Sequence, residues 1–118
     1  MHELSAAESI LGIILGHAEA NHAQKVTKIR LTIGDISGIS FDCLEHYWHI
    51  LAEGTCCEQA EFEVEREPAI FHCNQCGTSF ELERSLTACP SCAGINFTLI
   101  SGDEFQVEDI EIERSEVI

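Results

Sequence analysis

Hydrophobic positions recur along the chain with two different periods, and the switches between them mark out the elements. Ile10, Ile13, Ile14, His17 and Ala18 fall at helical spacing, which predicts a helix over about 5–21. Ser5-Ala6-Ala7-Glu8 has the S-x-x-E form of a capping box, in which hydroxyl and carboxylate satisfy N–H groups left free by the first helical turn. Gly12 and Gly16 lower the intrinsic propensity of this helix, so packing must hold it. From 28 to 33 the pattern becomes strict alternation. Ile29, Leu31 and Ile33 share one face and Lys28, Arg30 and Thr32 the other, as in a half-buried strand. After the turn-rich Gly34-Asp35-Ile36-Ser37-Gly38, Ser40 or Asp42 offers the N-cap of a second helix. Its stripe is Phe41, Leu44, Trp48 and Leu51, widened by Tyr47 and Ile50, and Gly54 is placed to stop it.

Alternation returns at 61–65, with Glu61, Glu63 and Glu65 forming one polar face, solvated or able to meet a basic partner. In the tail, Phe105 and Val107 are followed by Ile110 and Ile112. That step of three predicts a β-bulge near Glu108-Asp109 if both halves face one core. The order helix, strand, helix, strand, insert, strand implies an α+β fold, a small sheet packed with two helices. The cysteine-bearing insert is expected to form its own zinc-ribbon-like module over 70–101, dividing an α+β domain made of 1–69 and 102–118.

Seven cysteines in an intracellular chain favour metal ligands or free thiols over disulfides, and the odd number agrees. Cys73-Asn74-Gln75-Cys76 and Cys89-Pro90-Ser91-Cys92 are two C-x-x-C knuckles separated by twelve residues. Each knuckle aims two sulfurs at one point, and two of them supply the four thiolates of a closed tetrahedral zinc site. Such knuckles also suit a rubredoxin-like iron centre, so spacing leaves zinc and iron open. The insert holds few apolar groups, Phe71, Phe80, Leu82, Leu86, Ile95 and Phe97, so metal binding, worth on the order of 10 kcal/mol, is needed to fold it. Four protein ligands leave no open position for hydrolytic chemistry.

Charge narrows the partners. With 21 acidic and 6 basic residues the net charge is −15, which repels nucleic acid and anionic membranes and favours cations or basic protein surfaces. Arg84 is the insert's one Lys or Arg, so a nucleic-acid-binding ribbon is not expected. The longest apolar run, Ile10-Leu11-Gly12-Ile13-Ile14-Leu15, is too short to span a bilayer, and Met1-His2-Glu3 lacks a signal-peptide n-region. A cytoplasmic protein is expected. There is no nucleophile–base pair, phosphate loop or dinucleotide fingerprint, so none of these points to an enzyme.

A terminal amine, the next backbone nitrogens and the His2 imidazole can together form fused chelate rings in a plane, a set suited to Ni(II) or Cu(II) and poorly to zinc. Spacing alone is weak evidence and favours a solvated terminus over a metal site. Because His2 is bulky, Met1 is expected to be retained. Taken together, the MHELS start, the strand Ile29-Arg30-Leu31-Thr32-Ile33-Gly34, the two helices and the late cysteine pairs resemble the HypA/HybF family of nickel metallochaperones, over nearly the whole chain. That resemblance implies Ni²⁺ at Met1, His2 and Glu3 and structural Zn²⁺ at Cys73, Cys76, Cys89 and Cys92. It also implies a nickel-handling GTPase and the large subunit of a [NiFe]-hydrogenase as partners, and in some relatives urease maturation proteins. Zinc-ribbon adaptor and rubredoxin-like electron carrier are the competing readings. Cys43 and the vicinal Cys56-Cys57 fit no motif and are expected to be free thiols. His17 is expected to be partly buried, His46 and His49 to face solvent, His22 to end the first helix, and His72 to be able to replace a thiolate in acid.

Overall fold

The computed structural model describes residues 2–82 and 88–114; Met1, Arg84 and Leu86, named above, lie outside these, as does the end of the chain from 115. Helix α1 (Glu3–Ala20) leads into strand β1 (Ala23–Gly34), helix α2 (Phe41–Leu51) and strand β2 (Glu61–Glu67). Three short strands follow, β3 (Ile70–Cys73), β4 (Ser79–Glu81) and β5 (Phe97–Ser101), and β6 (Phe105–Arg114) returns to the first sheet. The described strands form two sheets, of order β2-β1-β6 and β4-β3-β5. β1 is parallel to β2, which α2 makes possible as the crossover, and antiparallel to β6. The described chain extends over 66 × 27 × 17 Å.

The first sheet buries one face only. Val26, Ile29, Leu31 and Ile33 of β1 are closed off beneath the helices, while Lys28 and Arg30 on the other face form ion pairs with Glu63, and Arg30 also with Asp109 and Glu111. The polar glutamate at position 63 is thus paired rather than simply solvated. The bulge falls where the period broke. Arg30 pairs with Asp109 and Leu31 with Val107, leaving Glu108 as the extra residue. Its carboxylate accepts the hydroxyl of buried Thr32 at 2.8 Å.

Both helices differ in detail from the expectation. α1 starts at Glu3, two residues early, with His2 as its N-cap in place of Ser5. Its buried stripe is Ala6, Ala7, Ile10, Ile14 and Ala18, flanked by half-buried Leu11 and Leu15; Ile13 is 54% exposed and His17 is exposed. The burial therefore follows 10, 14 and 18 rather than the line through 10, 13 and 17, a choice that the neighbouring elements make. His22 lies beyond the helix end at φ 56°, in the left-handed position after the C-cap Asn21. In α2 the N-cap is Ser40, Leu44 and Trp48 are buried, and the Trp48 and Phe41 rings meet Phe62 of β2 edge-on. Ile50, expected to widen the stripe, is 61% exposed.

Two glycines join the sheets. A Cβ on Gly34 would stand 2.0 Å from the Gly102 carbonyl oxygen, and one on Gly102 2.5 Å from Ala69 Cα. Only glycine lets the end of β1 cross the β5–β6 connection this closely, and Gly102 also adopts φ +116°. The Gly102 carbonyl accepts the Ile36 amide at 2.8 Å, and the Gly34 amide donates to the Glu104 carbonyl at 2.7 Å.

Candidate metal centres

Two near-identical turns place the cysteines. At the first, the Gly77 amide donates to the Cys73 carbonyl and the Cys73 amide to the Thr78 carbonyl; at the second, Ala93 donates to Cys89 and Cys89 to Gly94, all at 2.8–2.9 Å. Each turn needs a left-handed residue just after its second cysteine, Gly77 at φ 77° and Ala93 at φ 61°. Asn74 ties the first knuckle to β5, its amide donating to the Asn96 carbonyl and its side chain bonding Asn96 and Thr98. Phe71, Phe80 and Phe97 pack their rings 5.4–6.3 Å apart, one from each strand of the second sheet.

The four sulfurs lie within 4.8 Å of one another, with Cys73–Cys92 at 3.6 Å and Cys76–Cys89 at 3.7 Å. These are not disulfide distances. Metal–sulfur bonds of about 2.3 Å at tetrahedral angles put sulfurs about 3.8 Å apart, so the donor set fits a zinc-sized ion. The protonation chemistry agrees. The Thr78 hydroxyl and amide favour the Cys76 thiolate, drawing its pKa down to about 6. At Cys92 the Gly94 amide also favours the thiolate, but the Cys73 sulfur, with burial and the other two sulfurs, pushes its pKa up to about 12. Four sulfurs this close cannot all carry charge unless a cation sits between them.

At the other end, the His2 Nδ1 accepts the Leu4 amide at 3.2 Å, and the His2 carbonyl accepts that of Ala6. The Glu3 carboxylate accepts the Ser40 amide at 3.1 Å, which holds its pKa below the usual carboxylate range and ties the head of α1 to the start of α2. The His2 ring lies 6.4 Å from the Tyr47 ring. His2 is exposed; Met1, the remaining member of this set, lies outside the described residues. His2 heads α1, whereas Cys73 ends β3 of the second sheet.

Among the described residues only the four cysteines converge as three or more potential ligands. His72 alternates away from Cys73 on β3 and meets Ser79 Oγ at 3.4 Å, so it does not stand ready to replace a thiolate. Cys43 is exposed, Cys56 half-buried, and Cys57 buried, where burial and then Cys56 push its thiol up to about 12. A hollow of about 640 Å³ on the open face of the first sheet is lined by Glu63, Glu65, Glu67, Glu104, Glu108 and Asp109, but these do not converge. The roles of Tyr47 beside His2 and of Asn74 and Thr98 at the first knuckle are not marked by any motif, and only their contacts reveal them.

An α+β unit joined to a four-cysteine ribbon, with two helices and two sheets among the described residues, defines a small metal-binding protein. Residues 1–112 match the family described as HypA, hydrogenase/urease nickel incorporation, metallochaperone. The chain belongs to that family. It is 39% identical over 113 residues to a hydrogenase maturation factor HypA of Dehalococcoides mccartyi, covering 96% of this chain and 95% of the relative. It is 37% identical over 114 residues to the HypA of Caldanaerobacter subterraneus subsp. tengcongensis, covering 96% of this chain and all of the relative. The solution structure of the Ni metallochaperone HypA from Helicobacter pylori superposes with TM-score 0.67 at 22% identity, over 98% of this chain and 100% of that one, a likeness of fold. A second HypA solution structure gives 0.71 at 22% identity, over 98% of each chain.

Proposed function

We propose that this chain binds Ni²⁺ through Met1, His2 and Glu3 and delivers it to a [NiFe]-hydrogenase large subunit during maturation, with a nickel-handling GTPase as partner. Structural Zn²⁺ is held by Cys73, Cys76, Cys89 and Cys92. The observation that carries the reading is the family match, because it runs from residue 1 to 112 and so takes in His2 and all four cysteines. The chain's task is binding and release, with no covalent step. It works in the cytoplasm, where thiols stay reduced; among the described residues no helix is long and apolar enough to cross a membrane. The α+β unit, 1–69 with 102–118, carries nickel, and 70–101 is a separate zinc module. Urease maturation proteins are a second class of partner, supported by the family description.

His2 has a specific task in this reading. Its Nδ1, the ring nitrogen next to its own backbone, is the atom that now caps α1. Turning Nδ1 to nickel releases the Leu4 amide, at a cost of about 1 kcal/mol. Ser5 and Glu8 supply a second capping box one turn further in, so α1 can give up its first residues and keep a cap. The site is therefore shallow and exchangeable, as delivery requires. Nickel titration of untagged, zinc-loaded protein tests the reading. His2→Ala, and separately one residue added before Met1, are expected to lose the tight nickel equivalent while zinc content stays at one. Nickel binding unchanged in both variants would sink the proposal.

A further inference from the structure

The outer face of α2 is dense in metal-ligating groups that the nickel and zinc sites leave unused. Asp42, Cys43, His46 and His49 are all exposed, and Cys43 is a free thiol. Residues three and four apart on a helix are neighbours, about 5–6 Å between Cβ atoms, so His46 stands one turn above both Cys43 and Asp42. Helical side chains lean toward the N-terminus, which carries the His46 ring back over that turn. We infer that Cys43 and His46 form a further, two-ligand site for a divalent transition-metal ion.

The donor chemistry selects the ion. A thiolate and an imidazole suit borderline metals such as nickel and zinc, with metal–ligand distances of about 2.0–2.3 Å that two side chains one turn apart can satisfy together. Asp42, one turn before His46 on the same helix, adds negative charge beside the pair. The surrounding charge attracts cations, since the chain carries a net −15. Binding releases the thiol proton to solvent.

Position gives the site its meaning. Tyr47 follows His46 and lies one turn after Cys43. Its ring centroid is 5.8 Å from that of His46 and 6.4 Å from that of His2. Ser40 links the same two segments, its amide on Glu3 and its hydroxyl on the Cys43 amide. Cys43 and His46 therefore flank the side chain against which His2 rests. An ion arriving at or leaving the head of α1 meets a thiolate–imidazole pair next to it. The pair does not depend on nickel binding at the terminus, and the experiment separates the two.

The test uses full-length, untagged, zinc-loaded protein carrying His2→Ala, titrated with Ni²⁺ and followed by thiolate-to-nickel charge-transfer absorption, a signature that a nitrogen-only terminal site lacks. A saturable band of one equivalent is expected. Cys43→Ser should abolish it, His46→Ala should weaken the affinity at least about tenfold, and Cys56→Ser should leave it alone. Cys43 and His46 lie off the buried stripe of α2, and circular dichroism checks that each variant stays folded. No band in the His2→Ala protein overturns the inference, as does a band that survives Cys43→Ser, which would place nickel at the zinc thiolates. Failure of the terminal site is read separately, from nickel binding by the Cys43→Ser protein with His2 intact.

Discussion

Ala93 holds at the second knuckle the place that Gly77 holds at the first, and it pays for its Cβ. Left-handed backbone costs an L-residue about 1–2 kcal/mol, partly offset by the lower chain entropy of alanine in the unfolded state. Ala93→Gly should therefore stabilise the ribbon by about 0.5–1 kcal/mol, read as a bound metal ion held roughly two- to fivefold more tightly against a chelator; Gly77→Ala should do the reverse. Glu104 gives a pH-dependent counterpart at the joint between the sheets. Its carboxylate accepts the Gly102 amide at 2.6 Å and the Asp103 amide at 2.9 Å, and chiefly the Gly102 bond holds its pKa below the usual range. A depressed folded pKa adds stability that is fully present above the unfolded value, about 4.3, and is lost as pH falls through the folded one. Wild type should thus melt above Glu104→Gln at pH 7, with the gap narrowing through the acid range. A gap independent of pH would show that the charge plays no part.

At the scale of elements, glycines that look alike in the sequence have opposite roles. Gly12 and Gly16 sit inside α1 with open space where a Cβ would go, whereas a Cβ at Gly34 would strike the Gly102 carbonyl. Gly12→Ala and Gly16→Ala should each raise stability by up to about 1 kcal/mol, from helix propensity alone. Gly34→Ala should lower it by about 3 kcal/mol or more, because backbone must move. Denaturant unfolding of the three variants checks both signs. The elements themselves were largely legible. The period of two at 28–33, the step of three at 107–110 and the 41–51 stripe are local patterns, and strand, bulge and helix formed on them. The start of α1 was not legible. Ser5 and His2 are both competent caps, and what favours the earlier one includes Glu3 reaching the Ser40 amide, a contact between residues 37 apart in sequence.

For the molecule as a whole, the two sheets differ in what holds them. The first has a helix-covered core around Ile29, Leu31, Leu44 and Trp48, whereas the second has three phenylalanine rings and the sulfur cluster. Removing the metal with a strong chelator at neutral pH should therefore release the ribbon and spare the rest. Amide exchange should accelerate at Cys73, Gly77, Cys89 and Ala93 by orders of magnitude, while Ile29 and Leu31 stay protected. Global loss of protection would mean that the sheets fold as one unit through the Gly34–Gly102 crossing.

The sequence by itself determined which groups are candidates for the chemistry. The C-x-x-C spacing named four sulfurs, the position of His2 offered a chelate, and alternation assigned Lys28 and Arg30 to a polar face. These follow from residue type and separations of a few positions. Tertiary structure decided what those groups meet. It brought two knuckles twelve residues apart within 4.8 Å, turned His72 away, exposed Ile13 and His17 instead of burying them, and set Tyr47 against His2. Each of these depends on contacts between distant segments, to which the local hydrophobic period is blind.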